Sequence, residues 1–575
     1  MSRGTWAIGK EEALGEQGMV AANHPLAAEV GLDVLKRGGN AVDAAVAMAF
    51  TLAVVEPYMN GIGGRGSLVI HLHKARKTVV IDYNIRAPLA AHPRMYRLRA
   101  EGGTRGYYAG VEDDENLLGY KAVGVPGTVA GLCLALEQFG TLPLPEVMAP
   151  AIHYAEEGFP YDWHLRLMVA KDWGALSRFP ETVKTFITGH FDFNPVPFAP
   201  ADMLVQKELA GTLRKIARGG ADAFYRGEIA KAIAADMAKN GGLITEEDLA
   251  RYRPILFDPP LRNTYRGYRI VGSPGPTGSR TQMEMLNILE HFDLRASGPR
   301  TQETLHLLIE AFGRAYQDAF AYIGDPAVVP VPWEGLLSKR YAGWIAERID
   351  PQRASFARTA GNPWEFQGDG TAPPGAVPPG AIERPAFAQH TTHLQVVDKE
   401  RNMVSQLQTL GSLFGSRVVV PGTGILLNNN MMSFNPRPDS PNCPGPGKIT
   451  WWPVTSTLVF DKEDRPLLTV GAPGGLRIVT AVTQVLLNVL DHGMGMQEAI
   501  TTPRLHCEGE EAWLDNRIPA ECYDRLRAMG HRINTTSEFI GTWNYALPLG
   551  ILINEKAGTL HGGTDIFYPG VAIGY

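Results

Sequence analysis

The sequence predicts an α+β fold in which strands lie between helical segments, and this pattern fits two sheets covered by helices on both outer faces. Two observations lead to this prediction. Close to the N-terminus, two segments with helical spacing of apolar residues precede two strand-like segments. After residue 390 the chain returns to strands and then to further helical segments. No internal repeat is found, so a solenoid or propeller is not predicted.

The first half of the predicted fold begins with a helix pair. Apolar residues recur at helical spacing over His24–Arg37 and Val42–Val55. Between them, Gly38-Gly39-Asn40 is typical of a helix end followed by a turn. Ser67–Tyr83 predicts two strands around Lys74-Ala75-Arg76.

The remaining elements follow in order along the chain. Residues 124–350 predict mainly helices, interrupted by one strand at Gly267–Gly272. The region after Thr391 predicts strands, with helices near Val479–His492 and Ala520–Met529. Strands in both halves of the chain must therefore meet in the same sheets.

Composition excludes several classes of protein. The 575 residues are 45% hydrophobic and 20% charged, which is ordinary for a globular protein. The net charge of −6 and the pI near 6.2 predict no basic surface for nucleic acid. No apolar run reaches the roughly 18 residues needed to span a bilayer, so no membrane partner is expected.

The N-terminus and the cysteines favour a cytoplasmic location. The first residues contain no apolar segment of the kind found in secretory leaders, although a leader already removed would make the protein periplasmic or secreted. Cys133, Cys443, Cys507 and Cys522 show neither close pairing nor metal-ligand spacing. This pattern fits a reducing compartment.

The pair Thr391-Thr392 is the most informative feature of the chain. Residues 360–385 are rich in proline and glycine and cannot hold a regular element. Downstream, TTHLQVV and NMVSQLQTL predict a hairpin joined by residues 398–401. A flexible connector before a strand that begins with a hydroxyl residue is the layout of a chain that cuts itself. Cleavage before Thr391 would give one residue both a nucleophilic hydroxyl and a basic α-amine.

Several segments, in order, resemble the γ-glutamyltranspeptidase family. The hairpin above, GILLNNNM and VGAPGGLRIVTAV are similar to its small subunit, and GMVAANHPLAAEVGLDVLKRGGNAVDAAVAMAFTLAVVEP is similar to its N-terminal signature. The resemblance runs the length of the chain. It implies an N-terminal-nucleophile hydrolase with a four-layer αββα sandwich. It also implies autocleavage between His390 and Thr391 into a large subunit, residues 1–390, and a small subunit, residues 391–575, which together form one domain. A dimer of such subunit pairs is an alternative to a single pair.

The resemblance also implies roles for four residues at the catalytic centre. Thr391 would be the nucleophile, and Thr409 would hydrogen-bond it and orient it. Gly474 and Gly475 would form the oxyanion hole, since glycine lets backbone N–H groups approach a tetrahedral intermediate closely. Taken without the family, an ordinary strand threonine at Thr391 and a plain turn at Gly474-Gly475 are the favoured interpretations. Strand alternation places Thr392 on the face opposite Thr391, so Thr392 and His393 are expected only to support the strand.

A glycine-rich run at Gly61–Gly66 predicts no phosphate loop, because it lacks the Gly-Lys-Ser/Thr ending and has no Rossmann acidic residue. It matches a family loop in which Arg65 replaces a glycine. His71 and His73 fall on one face of a strand, where a solvated surface is favoured over a metal site. No metal or cofactor is predicted.

The substrate-binding positions depart from the family pattern. Asn84 stands where the family has an arginine that grips the substrate carboxylate, and Arg86 lies two residues further on. Other family headgroup ligands, an asparagine, a glutamine, an aspartate and a serine pair, are replaced here by Gly411, Asn430, Ser433 and Trp452-Pro453. Loss of the arginine and the aspartate should cost several kcal/mol of γ-glutamyl binding.

The sequence therefore favours a self-processing amidohydrolase or acyltransferase that forms a Thr391 acyl-enzyme and has an altered acyl specificity. A true glutathione hydrolase or γ-glutamyltransferase, with Arg65 or Arg86 as a relocated clamp, is the first alternative. A non-catalytic binding protein on the same fold is the second. The expected substrate is a small-molecule amide.

Overall fold

The computed structural model describes residues 8–99, 109–189, 202–355, 358–374, 376 and 390–575. Its helices, in chain order, are α1 Pro25–Lys36, α2 Ala41–Val55, α3 Thr128–Phe139, α4 Leu144–Glu157, α5 Trp163–Leu176, α6 Pro180–Phe186, α7 Lys207–Tyr225, α8 Glu228–Lys239, α9 Glu246–Arg251, α10 Gly278–Leu289, α11 Leu294–Ser297, α12 Gln302–Tyr322, α13 Trp333–Leu336, α14 Lys339–Ala346, α15 Arg477–Leu490, α16 Met496–Thr501 and α17 Ala520–Ala528.

The strands are β1 Ala13–Gly15, β2 Met19–Ala22, β3 Arg65–Leu72, β4 Lys77–Tyr83, β5 Phe159–Pro160, β6 Met203–Leu204, β7 Ile255–Phe257, β8 Leu261–Tyr265, β9 Tyr268–Gly272, β10 His390–Val397, β11 Met403–Gly411, β12 Val419–Val420, β13 Ile425–Leu426, β14 Thr457–Phe460, β15 Pro466–Gly471, β16 Leu505–Cys507, β17 Glu511–Asp515, β18 Arg532–Thr536, β19 Leu549–Asn554, β20 Thr559–Thr564 and β21 Val571–Gly574.

Fourteen of these strands form two large antiparallel sheets. The first has the order β21-β2-β10-β11-β3-β4-β7, and the second has the order β1-β20-β19-β15-β14-β9-β8. Each sheet combines strands from before and after residue 390, so the two predicted subunits share both sheets.

The packing gives four layers. Apolar side chains of α1, α2 and α3 pack on the outer face of the first sheet, and α4 packs on α2. Those of α10 and α15 pack on the outer face of the second sheet, and α12 packs on α10. Between the sheets lies a third cluster that includes Met19, Val69, Met403, Leu458 and Leu549. The αββα sandwich predicted from the sequence is therefore confirmed.

The predicted elements agree closely with the observed ones. The helix pair lies at α1 and α2, where Asn40 caps α2 by accepting hydrogen bonds from the backbone N–H groups of Val42 and Asp43. The strand predicted at Gly267–Gly272 is β9, but the prediction of a single strand within residues 124–350 is wrong, because β5, β6, β7 and β8, the hairpin partner of β9, also lie there. Within the described residues, no helix is both long enough and apolar enough to cross a membrane.

The hairpin β10–β11 occupies the centre of the first sheet. Every residue of both strands is buried. β2 pairs with β10 on one side, β3 pairs with β11 on the other, and α2 packs over the hairpin. This central position fixes the start of β10, and so Thr391, beside the turn that follows β15, the central strand of the second sheet.

Candidate active site

Thr391 lies at an irregularity in the β10–β11 ladder. His390 pairs with Gly411 and Thr392 pairs with Gln408, so the register shifts by one residue across Thr391. Such a bulge redirects the side chain and interrupts regular pairing at that point. The Thr391 hydroxyl oxygen accepts a hydrogen bond from the backbone N–H of Gly474 at 3.2 Å. The side chain therefore points toward the second sheet and away from α2.

Thr409 contacts the peptide bond that precedes Thr391. Its hydroxyl donates to the carbonyl oxygen of His390 at 2.6 Å and accepts from the backbone N–H of Gly411 at 2.8 Å. In the uncleaved chain, Thr409 is thus bonded to the carbonyl that an attacking Thr391 hydroxyl would meet. The orienting contact with Thr391 itself, expected from the family, stays a prediction.

Gly474 and Gly475 form the turn between β15 and α15. Their φ angles are +140° and +64°, a region that other residues adopt only with strain. A Cβ on Gly474 would lie 2.6 Å from the Cβ of Ala546, which is too close for van der Waals contact. The turn places the Gly474 N–H next to Thr391, just before the N-terminus of α15, where the helix dipole favours negative charge. The geometry suits an oxyanion hole, which stays a prediction.

A narrow cavity of about 10 Å³, which has room for about one water molecule, lies beside Thr391. Predicted site residues and unpredicted apolar residues line it together: Arg65, Thr391, Leu407, Thr409, Gly411, Asn430, Trp452, Pro453, Val454 and Ile478. Within the described part of the chain, this lining contains no acidic side chain. The amide oxygen and nitrogen of Asn430 are buried and have no hydrogen-bond partner among the described residues.

Arg65 is the charged group of this cavity. Its two terminal nitrogens donate to Asn84 Oδ1 at 2.8 Å and to Ser433 Oγ at 3.0 Å. The guanidinium carbon lies 4.6 Å from the centre of the Trp452 ring, within the range of a cation–π contact. Burial lowers the pKa of Arg65 to about 9, and the charge of Asp82 offsets part of this change. Four of the positions that differ from the family, Arg65, Asn84, Ser433 and Trp452, therefore meet in one cluster.

Arg86 is placed differently. Its backbone bridges to Val125, its side chain is half-buried, and it does not belong to the cavity lining. It acts electrostatically on Asp82, whose pKa is raised to about 6 by burial and lowered in part by the backbone N–H of Asn84, by Arg86 and by Arg65. Of the two arginines considered as carboxylate clamps, only Arg65 lines the cavity of Thr391.

The opposite face of β10 carries a separate polar cluster. Thr392 faces the helical layer near Glu56, whose pKa is raised to about 8 by burial, an effect that the hydrogen bond from Tyr568 partly offsets. The Tyr568 hydroxyl donates to Glu56 at 2.5 Å. His393 lies between the sheets, where its ring contacts Ser456 and Gln395, and burial lowers its pKa to about 3. Neither Thr392 nor His393 lines the cavity.

Two groups of residues in the structure contain histidines of the kind that bind metals. His71 is buried against the Phe460 ring and hydrogen-bonds Thr78, so the solvated face predicted for it is wrong, whereas His73 is exposed. A second group, His306, Glu310 and His531, brings three ligand atoms within 4.8 Å of one another. Arg358 already hydrogen-bonds both Glu310 and His531, so a positive charge fills that place.

Comparison with known proteins identifies the chain's relatives. The family model described as Gamma-glutamyltranspeptidase matches residues 27–575. The chain belongs to the γ-glutamyltranspeptidase family. It is 37% identical over 569 residues to the glutathione hydrolase proenzyme of Bacillus subtilis, covering 98% of this chain and 92% of the relative. It is 38% identical over 536 residues to the acylase ACY 1 proenzyme of Pseudomonas sp., covering 93% and 90%.

Solved structures of similar proteins agree with the fold. The chain resembles the cephalosporin acylase of Bacillus halodurans with a TM-score of 0.84 and 30% identity, over 100% of this chain and 99% of that one. The γ-glutamyltranspeptidase of Helicobacter pylori matches with a TM-score of 0.54 and 36% identity, over 62% and 95%. The protein is therefore an N-terminal-nucleophile amide hydrolase, and a non-catalytic role on this fold is set aside.

Sequence reasoning missed part of the cavity beside Thr391 in this γ-glutamyltranspeptidase family member. Leu407, Val454 and Ile478 form apolar walls of the cavity. Strand alternation could have found Leu407, because it lies two residues before Thr409 on the same face of β11. No local signal could have found Val454 or Ile478, since both come from other elements that only the tertiary structure brings close.

Proposed function

We propose that the chain matures by cutting itself between His390 and Thr391 and then hydrolyses amides through an acyl-enzyme on Thr391. The hydroxyl oxygen of Thr391 attacks the His390 carbonyl carbon, and the C–N bond breaks as the nitrogen takes up a proton. The resulting ester joins His390 to the Thr391 side chain. Water opens the ester and leaves a carboxylate on His390 and a free hydroxyl and α-amine on Thr391.

Support for this first step comes from the groups around the scissile bond. The Thr409 hydroxyl already donates to the carbonyl oxygen that would become negative during attack. Hydrogen bonds to a developing oxyanion strengthen as charge appears on it. Residues 1–390 and 391–575 would stay associated afterwards, because strands of both segments alternate within each sheet.

In the mature enzyme, the α-amine of Thr391 would serve as the base. Its ordinary pKa of about 7.7–8.0 lies close to neutral pH, so it can take the hydroxyl proton and later return it to the leaving amine. The N–H of Gly474, now bonded to the Thr391 oxygen, is near enough to stabilise an oxyanion that forms there. The acyl group would extend from Thr391 toward Arg65 and Trp452, and the narrow cavity between them would widen to admit it.

The acyl specificity that we propose excludes an α-ammonium on the donor. The cavity lining carries this specificity, because among the described residues it contains the buried Arg65 and no acidic side chain. An ammonium group taken out of water without a counter-charge is costly, and one placed near a guanidinium is repelled as well. A γ-glutamyl donor should therefore be poorer than the same acyl chain without the amine.

A true glutathione hydrolase is the second candidate. It is favoured by relatives named glutathione hydrolase and by the presence of Arg65 in the cavity, where it could hold the α-carboxylate. This candidate requires an acid for the ammonium to come from outside the described lining.

A substrate panel separates the two candidates. The processed enzyme is assayed for kcat/KM on γ-glutamyl-p-nitroanilide and on glutaryl-p-nitroanilide, which differ only in the α-ammonium. We expect the glutaryl compound to be preferred at least tenfold, a difference of about 1.4 kcal/mol. The Thr391→Ala protein is the blank. A preference for the γ-glutamyl compound would reject the altered specificity in favour of the second candidate.

A further inference from the structure

The residue before the predicted cleavage point packs against an aromatic ring of the loop that precedes β19. The imidazole of His390 meets the indole of Trp543 at 89°, with the ring centres 4.5 Å apart. Trp543 lies between β18 and β19 and does not belong to the cavity lined by Arg65 and Trp452. Two separate surfaces therefore border the start of β10, the narrow cavity and the Trp543 ring.

The leaving amine of a substrate must use the space that His390 fills in the precursor. In the proposed mechanism the α-amine of Thr391 gives its proton to the leaving nitrogen, so the two nitrogens must come within about 3 Å of each other. In the uncleaved chain, that α-nitrogen is bonded to the His390 carbonyl carbon. Once the ester is opened, His390 is a chain end with no covalent bond to Thr391, so another group can replace it there. The group carried by the leaving nitrogen then meets Trp543.

Trp543 is held in place by its own loop. Glu538 accepts a hydrogen bond from the Thr542 hydroxyl at 2.9 Å and another from the backbone N–H of Asn544 at 3.3 Å. These contacts fix the residues on both sides of Trp543 before any substrate arrives. A surface that is already ordered loses little entropy when a ligand binds to it.

Two hydrogen-bond donors at this ring favour an anionic group on the leaving amine. The ammonium nitrogen of Lys171 lies 4.7 Å from the centre of the Trp543 ring, and its acceptor is the carbonyl oxygen of Gly541. Lys171 is exposed at the rim and forms no ion pair with the residues that the structure describes. The indole N–H of Trp543 is buried and has no acceptor among those residues. A carboxylate can bind to such donors with charge-assisted hydrogen bonds.

We propose that Trp543 and Lys171 form the site for the leaving amine, and that the preferred leaving group is an aromatic amine that carries a carboxylate. This inference rests on the proposed amide hydrolysis at Thr391 and adds the chemical class of the amine. The aromatic ring takes the place of the His390 imidazole on Trp543, and the carboxylate reaches the ammonium at the rim. The substrate C–N bond breaks as the leaving nitrogen takes the proton that the α-amine of Thr391 received from the hydroxyl, so the amine departs neutral.

The test uses three glutaryl amides that differ only in the leaving group: 4-aminobenzoate, 4-aminobenzamide and ammonia. The value of kcat/KM reports every step up to release of the amine, and its ratio between wild type and a variant cancels the intrinsic reactivity of each amide. Trp543→Ala should lower kcat/KM on the order of tenfold for both aromatic amides and leave the primary amide unchanged. Lys171→Met should lower it about three- to fivefold for the 4-aminobenzoate compound alone.

Further variants serve as controls. Completed self-cleavage, seen as two bands on a denaturing gel, shows that a variant has folded. Trp543→Leu fills much of the same space without an aromatic ring, and it replaces Trp543→Ala if that protein does not accumulate. Lys171→Arg keeps the charge and should restore the 4-aminobenzoate value. Trp513→Ala removes another partly exposed tryptophan, on β17, and should change none of the three values.

The outcomes separate this inference from the proposed function. Failure of wild type to hydrolyse any of the three amides beyond the Thr391→Ala blank would reject the proposed function itself. An equal loss on all three amides in Trp543→Ala would show that Trp543 only supports the fold and would overturn the leaving-amine site. Equal losses on the two aromatic amides in Lys171→Met would overturn the assignment of the carboxylate to Lys171.

Discussion

Replacement of Thr409 by valine tests how the precursor cleaves itself. The Thr409 hydroxyl donates to the His390 carbonyl at 2.6 Å and accepts from the Gly411 N–H at 2.8 Å. Valine has the same shape but no hydroxyl, so both buried backbone groups lose their partner. Each lost hydrogen bond costs about 1–3 kcal/mol, and we expect the free energy of unfolding to fall by roughly 2–6 kcal/mol.

The larger effect of Thr409→Val should fall on the cleavage rate. When Thr391 attacks, the His390 carbonyl oxygen becomes negative, and loss of one donor to such an oxyanion typically slows a reaction about 10²- to 10³-fold. The assay follows freshly synthesised precursor on a denaturing gel and measures the half-life of the full-length band. Thr409→Ser keeps the hydroxyl and serves as the matched control.

The result that would refute this reasoning is cleavage of Thr409→Val at the wild-type rate. That outcome would mean that the contact with His390 holds the strand but does not activate the carbonyl. Slow cleavage in both Thr409→Val and Thr409→Ser would instead assign the effect to packing of the side chain and not to the hydrogen bond.

Three further predictions concern the nucleophile, the glycine turn and the buried glutamate. Thr391→Ala should stay as a single band after long incubation, whereas Thr392→Ser should still give two bands; cleavage in the first protein would contradict the assignment. Gly474→Ala should lose on the order of 100-fold in kcat, because the added Cβ meets Ala546 and moves the N–H donor; Gly493→Ala, also at a positive φ (+67°) but in open space, is the control and should keep its turnover. Burial raises the pKa of Glu56 to about 8 from an ordinary 4.5, so the folded state holds a proton that the unfolded state releases and stability falls as pH rises between those values. The free energy of unfolding of Glu56→Gln should therefore rise relative to that of wild type by about 1.4 kcal/mol for each pH unit between pH 5 and pH 8. A constant difference in melting temperature between the two proteins across this range would count against a raised pKa.

The sequence was sufficient to predict the layers of the fold. Apolar spacing located α1 and α2, and the alternation in TTHLQVV and NMVSQLQTL located the β10–β11 hairpin. These patterns are local, because a helix face or a strand face is buried along its own length. The weakly patterned β8 was missed, since its residues alternate only between partly buried and exposed positions.

The sequence also predicted which residues meet at the catalytic centre. The structure brings them together, with Thr391 and Thr409 on paired strands and Gly474 in a turn that only glycine adopts readily. The sequence did not reveal what surrounds them. His71 was predicted to face solvent, yet the second sheet covers it with Phe460. Whether a strand face is buried depends on the layer packed against it, and that layer comes from distant parts of the chain.

The substrate end of the site was decided by the tertiary structure. Asn84 and Arg86 are two residues apart, but only Asn84 turns toward Arg65, while the backbone of Arg86 bridges to Val125. Ser433 reaches the same guanidinium from 368 residues further along the chain. By itself the sequence determined which residues differ from the family. Their meeting around one buried cation follows from the packing of the loops after β4 and β13 against the start of β3, a long-range contact that no local pattern encodes.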